Sequence, residues 1–337
     1  MRRLLVRTAL GLVVIFVIAG ILWGTATWKT VVFLSNALPD TPAWLPASQV
    51  LVERNSWEFT ASDQVRTIDL YHSDNVQTPS PALILVPGLS ADAHKDERLV
   101  RVAEAMAAVG VAVAVPHSDN ISALTLDTDD IQLIIDTFYF LAEHEDVVSN
   151  RIGLAGFSVA GSYALRAGLE LDNSPAVVLA LGPYHNASNL LVDILSRSAH
   201  FAGITRDWYP DDHVINITKD LLRPTDERLA AELPKLTRDE AETFLNSLPE
   251  ELQTLLTDIS PSTRMDELRA PLILMHDQHD TLIPVEASRQ LHANLPEQVT
   301  VSYHEYTFLH HVTPQRLLTW ELFPFAWQIF QLFNHLF

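Results

Sequence analysis

The chain has 337 residues, no cysteine, 22 basic and 42 acidic residues, and a formal charge of -20. That length gives one or two domains with a full hydrophobic core, and 48% apolar against 19% charged residues is a globular composition. The missing cysteine excludes disulfides, a thiolate metal site and a cysteine nucleophile. The acidic balance excludes a nucleic-acid partner, since nothing could neutralise a run of phosphates.

Residues 8 to 28 carry no charge. As a helix, about 21 residues at ~1.5 Å each span roughly 30 Å, the thickness of a bilayer core. Arg2, Arg3 and Arg7 precede this run and only Lys29 follows it closely. The positive-inside rule then predicts a single-pass anchor over residues 1–30, with a cytoplasmic N-terminus and the remainder on the extracytoplasmic side. A cleaved signal peptide is the rival reading, with Gly24-Thr25-Ala26 as its small-residue site. Beyond the anchor there are 18 basic and 42 acidic residues, a charge of -24, which is read as a source of solubility. Pro39, Pro42 and Pro46 mark residues 31–49 as a stiff linker.

From residue 50 onward, short apolar runs alternate with helical patterns. Val50–Val52 and Val65–Tyr71 read as an antiparallel strand pair. Ala82–Val86, Val111–Val115, Ile152–Gly156 and Ala176–Leu181 read as buried strands. Helices are predicted between them over 96–109 (closed by Gly110), 128–143 and 159–169. Such alternation predicts a mostly parallel sheet with helices on both faces. Residues 186–265 contain no strand pattern and several polar helices, one opened by a capping box at Thr237 and Glu240 and another by Pro249. They are expected to form a helical lid inserted into a core of residues 50–185 and 266–337. The strand rhythm returns at Pro271–Met275, followed by a helix from Val285 and a strand over 299–306. A last helix, kinked at Pro324, carries most of the seven aromatic residues between Trp320 and Phe337.

Only eight glycines lie outside the anchor, and four of them fall between residues 153 and 168. Gly156-Phe157-Ser158-Val159-Ala160-Gly161 follows a buried strand and opens a helix. A nucleophile elbow requires that setting: a strained turn lifts the hydroxyl above the sheet, and small neighbours let helix and strand approach. The amide of Val159 would face a forming oxyanion. A serine nucleophile needs a base, and the base needs an acid to orient it. His276-Asp277-Gln278-His279-Asp280 follows one strand, with Asp280 the first choice of acid and Asp277 the second. His310 and His311 follow the last strand and are both candidates for the base. His276 and His279 also have a spacing that could ligate zinc, but a triad acid loop explains Asp280 without a metal, so no metal and no cofactor are expected. Tyr184 and His185, past another strand end, are either pocket residues or plain loop.

In the order serine, acid, histidine, the chain resembles the α/β-hydrolases over residues 50 to 337. The resemblance rests on the elbow at Ser158, on Asp280 with Ile283-Pro284 behind it, on the terminal histidine, and on Val86-Pro87-Gly88-Leu89, which is similar to the family's loop after an early strand. It implies a triad of Ser158, Asp280 and His311, with His310 and Asp277 as alternatives, and an oxyanion hole formed by the amides of Leu89 and Val159. Ala160, Pro87 and Asp277 depart from the usual residues at their places, as do the missing glycines before the histidine. The implied activity is hydrolysis of a small-molecule or lipid-like carboxylic ester through an acyl-enzyme; a peptidase on the same triad and a non-catalytic binding domain are the alternatives. Oligomeric state is not legible in the sequence.

Overall fold

The computed structural model describes residues 24–38, 47–73, 78–311 and 320–337. Ten strands and twelve helices are described. The first helix, α1, covers residues 24–37. The antiparallel hairpin β1 (Val52–Ala61) and β2 (Gln64–Ser73) follows, then β3 (Ser80–Val86), α2 (Glu97–Ala108), β4 (Ala112–Pro116), the short α3 (Asp119–Ser122) and α4 (Asp129–Ala142). Next come β5 (Val147–Phe157), α5 (Val159–Glu170), β6 (Val178–Leu181), α6 (Ala187–Ser196), β7 (Ser198–Phe201), β8 (Ile204–Asp207), α7 (Asp212–Leu222), α8 (Glu227–Glu232), α9 (Arg238–Asn246) and α10 (Glu250–Asp258). The chain closes with β9 (Leu272–Asp277), α11 (Val285–Ala293), β10 (Val301–Tyr306) and α12 (Leu322–Leu336).

Eight strands form one sheet in the order β1-β2-β4-β3-β5-β6-β9-β10. The first two pairings, β1 with β2 and β2 with β4, are antiparallel, and the rest are parallel. The central strands are covered on both faces, which is why they read as continuous apolar runs. Along β3 the period of two sorts the side chains: Ala82, Ile84 and Val86 enter the core beneath α4 and α5, while Leu83 and Leu85 enter the core shared with α2 and α12. The mostly parallel sheet with flanking helices is the predicted fold class.

Residues 186–265 carry α6 to α10, with the predicted capping box at Thr237 and Glu240 and with Pro249 at the N-cap of α10. This segment is not all helical, however. A left-handed Arg197 ends α6, and β7 and β8 then pair across a two-residue turn in which Ala202 and Gly203 both have positive φ. The hairpin was illegible because every residue of β8 is exposed and its residues show no apolar alternation. Pro324 is also placed differently: α12 begins at Leu322, so the proline sits in the first turn, where its missing N–H costs no helical hydrogen bond.

The predicted membrane anchor lies largely on residues 1–23, outside the described residues. Its last part, residues 24–28, belongs to α1, and Ala26 is buried against protein rather than facing lipid. Residues 31–37, read from the sequence as linker, continue the same helix. Val32 and Phe33 are buried, Phe33 meets Phe333 of α12 edge to face with ring centroids 5.9 Å apart, and the Lys29 ammonium donates to the carbonyl of Val109. Among the described residues, no helix is long and apolar enough to cross a membrane.

Candidate active site

Ser158 stands at the junction of β5 and α5 with φ 57° and ψ -131°, a left-handed conformation that L residues rarely adopt. The strain is held by packing. Its amide donates to the carbonyl of Leu181 at 2.8 Å. A Cβ on Gly156 would lie 2.1 Å from the carbonyl oxygen of Ala160, so only glycine lets α5 start so close to β5. Gly161 is also pressed, since a Cβ there would stand 3.2 Å from the oxygen of Gly156. Ala160, where the usual elbow has a glycine, is simply buried.

The acid loop follows β9. Asp280 is buried, its Oδ1 accepts the amides of Leu282 (2.7 Å) and Ile283 (3.1 Å), and its Oδ2 lies 2.5 Å from Nδ1 of His311. Burial pushes the Asp280 carboxyl upward, but the charge of His311 and the hydrogen bonds of His276 and His311 outweigh it and hold the group below the usual carboxylate range. His276 is also buried. Its Nδ1 is 2.7 Å from the Ser288 hydroxyl, and its Nε2 is 2.9 Å from the carbonyl of Ile283 and 3.3 Å from Asp280 Oδ2. His276 therefore braces the Asp280 carboxylate. With both its nitrogens engaged and His279 pointing to solvent, these two histidines do not converge as a zinc pair.

Of the alternatives left by the sequence, His310 and Asp277 pair with each other through the backbone. Asp277 Oδ2 accepts the amides of Leu309 (2.7 Å) and His310 (3.0 Å), and its Oδ1 accepts that of His279 (2.7 Å). It fastens the histidine loop to the acid loop. Gly182, with φ +66°, makes room for the pair, since a Cβ on it would touch the His311 ring and Asp280 at about 3.4–3.5 Å.

Ser158 and His311 line one cavity of about 520 Å³, together with Gly88, Leu89, Val159 and His310. The Ser158 hydroxyl makes no hydrogen bond among the described residues; contacts of this kind commonly tighten only when substrate is bound. Among the described residues, neither Leu89 nor Val159 donates its amide to another loop carbonyl. Gly88 packs directly beneath the serine, since a Cβ on it would fall 3.3 Å from that of Ser158. Leu190, Leu191 and Ile194 of α6 and Val214, Ile217 and Leu221 of α7 form an apolar roof. Tyr184 lines the cavity and donates its hydroxyl to the carbonyl of Ile259 at 3.0 Å, whereas His185 does not line it.

Sequence reasoning overlooked Trp208. Its indole N–H donates to the carbonyl of Asp280 at 2.8 Å, and it is buried against Ile194 and Ala199. The same side of residues 186–265 is fixed to the core by Asp211, whose amide donates to Thr281 at 2.9 Å, and by Arg206, whose Nη2 is 2.7 Å from Glu286. A lone tryptophan outside any apolar pattern carries no signal of such a contact.

The family model described as BD-FAE matches residues 68–295, a stretch that holds Ser158 and Asp280 and ends before His311. No curated protein matches the chain. Among solved structures it is similar to a mutant of esterase rPPE complexed with (S)-Ac-CPA, at 14% identity and a TM-score of 0.54, covering 91% of this chain and 88% of that one. A 2,6-dihydroxy-pseudo-oxynicotine hydrolase is similar at 14% identity and a TM-score of 0.53, with 85% and 68% covered. An acylaminoacyl peptidase from Pyrococcus horikoshii is similar at 13% identity and a TM-score of 0.50; 76% of this chain is covered, and it spans only 37% of that protein's length. These likenesses are of fold.

Proposed function

The chain belongs to the BD-FAE family of α/β-hydrolases, and from that premise we propose that it is a serine hydrolase cleaving carboxylic esters of apolar acyl groups. The observation that carries this reading is the hydrogen-bonded pair of Asp280 and His311, 2.5 Å apart, at the cavity that the strained Ser158 also lines.

In the proposed reaction Ser158 Oγ attacks the ester carbonyl, and its proton passes to Nε2 of His311. Asp280 holds Nδ1–H of the ring and stabilises the imidazolium that forms. The amides of Leu89 and Val159 receive the negative charge of the tetrahedral oxygen. His311 then returns the proton to the departing alcohol, leaving an acyl group on Ser158. A water molecule, deprotonated by the same histidine, attacks the acyl carbonyl, and the histidine passes that proton to Ser158 Oγ as the acid leaves. The aliphatic side chains of α6 and α7 supply the preference for an apolar acyl group, since burying each methylene is worth roughly 0.8 kcal/mol.

A fluorophosphonate probe tests the nucleophile. Wild type is expected to be labelled and Ser158→Ala is not; a folded wild-type chain that takes no label would remove the enzyme reading. A panel of nitrophenyl esters beside aminoacyl amides then separates esterase from peptidase, and turnover confined to the amides would overturn the ester assignment.

A further inference from the structure

Asp69 of β2, His94 of the turn Ala93–Lys95 and His117 just past β4 bring a carboxylate oxygen and two imidazole nitrogens within 4.8 Å of one another. We propose that these three side chains bind a divalent transition metal of the zinc class, at a site separate from the Ser158 cavity.

Four features of the cluster point to an ion. First, Nδ1 of His94 and Nε2 of His117 are both shielded from solvent and neither has a hydrogen-bond partner among the described residues. His117 Nε2 approaches Asp69 Oδ2 to 2.8 Å, but without the alignment of a hydrogen bond. A shielded His94 nitrogen with no partner, beside a His117 nitrogen whose neighbour is the Asp69 carboxylate, is costly unless something binds there. Second, the rings are stacked, centroids 3.6 Å apart and planes 14° from parallel, so their edges are presented side by side. Zinc bonds of about 2.0–2.1 Å in a tetrahedron set ligand atoms about 3.3 Å apart, a spacing that small side-chain rotations reach from here. Third, two nitrogens and one carboxylate oxygen are the donors that zinc accepts from a protein without cysteine, with a fourth position left for water. Fourth, Arg54 holds Asp69 Oδ2 at 2.6 Å, which fixes the carboxylate in orientation much as partners behind metal ligands do.

The ion would join three separate segments. His94 lies six residues beyond Gly88, in the loop that leaves β3, while Asp69 belongs to β2 and His117 lies just past the neighbouring β4. A metal there ties that loop to the sheet.

The test uses the full chain stripped of metal by a chelator and titrated with zinc by calorimetry, then with cobalt(II) while its visible absorption is followed. One equivalent of zinc is expected, with cobalt bands of a four- or five-coordinate nitrogen and oxygen site. His94→Gln and His117→Gln should each weaken binding at least tenfold, and His279→Gln, in an exposed histidine, should not. Zinc should raise the melting temperature of wild type and leave that of His94→Gln unchanged; since His94 occupies a surface turn, this variant serves as the folded control. Failure of wild type to bind zinc, or wild-type affinity for zinc in either glutamine variant, would overturn the proposal.

Discussion

Side by side at 310 and 311 stand two histidines, and the backbone turns them to different tasks. Both have positive φ, 40° and 71°, and the Asp277 carboxylate grips the amide of His310. That grip leaves the next imidazole aimed at Asp280. His311→Ala is therefore expected to lower kcat/KM on a nitrophenyl ester by about 10³-fold or more. For His310→Ala the loss should stay below about tenfold, because its ring lines the cavity without touching the acid. The reverse ranking in steady-state assays would reassign the base. The strained turn at Gly156 and Ser158 and the place of Asp280 just past a strand were legible in the sequence because both are set by neighbours a few residues away. The choice between His310 and His311 was not, since it depends on an aspartate 33 residues away.

Another residue-scale consequence concerns Asp130 at the start of α4. It is buried, its Oδ1 takes the Ser118 hydroxyl at 2.5 Å, and its Oδ2 has no partner among the described residues. Burial first, then the charges of Asp127 and Asp129, push its carboxyl up to about 6. The folded state thus holds this proton longer than the unfolded chain does. The stability it contributes is complete below the ordinary carboxylate value near 4 and is lost as pH rises through about 6. The loss is about 2–3 kcal/mol at neutral pH. Denaturant unfolding from pH 4 to pH 7 should show wild type declining relative to Asp130→Asn across that window, and parallel curves would rule the account out.

Among the elements, residues 186–265 depart most from their sequence reading as an all-helical lid. The capping box of α9 and the proline opening α10 were readable because caps are written in four or five consecutive residues. The β7–β8 hairpin was not, because its exposed residues carry no burial pattern and its register comes from the turn at Ala202 and Gly203. What the hairpin does becomes visible only where the lid meets the acid loop. Trp208 joins Asp280 to the cluster of Ile194 and Ala199. Trp208→Ala removes that bond and a buried ring, so it should cost about 3–5 kcal/mol of stability. It should also reduce kcat more than Trp208→Phe, which keeps the packing and loses only the N–H donor. Wild-type kcat in both variants, both folded by circular dichroism, would mean that the indole does not help to position Asp280.

On the scale of the whole molecule, the sheet is closed on one side by the two ends of the described chain. Helix α1 lies against α12 through Phe33 and Phe333, and the Lys29 ammonium sits 3.9 Å over the ring of Phe337. Burial lowers the Lys29 amine from its ordinary value, as expected for a cation held against apolar surface. Phe33→Ala should cost about 3–5 kcal/mol and lower the melting temperature. A melting temperature unchanged by the substitution would show that α1 contributes nothing to the folded unit. The acidic surplus of this body leaves its aromatic surface unexplained: Trp320, Phe323 and Trp327 remain exposed on and beside α12.

By itself the sequence determined most of the core strands and helices, the tight strand-to-helix turn at Ser158 and the place of Asp280 just past a strand. Each of these depends on neighbours within a few residues: a period of two or of 3.6, a cap, a glycine where a Cβ cannot fit. Only the tertiary structure decided which histidine meets Asp280, that Asp277 clamps a loop, that Trp208 braces the acid, and that residues 24–37 pack on the core as a helix. Those outcomes require segments tens or hundreds of residues apart to meet, and a burial pattern records that a side chain will be covered without recording by what.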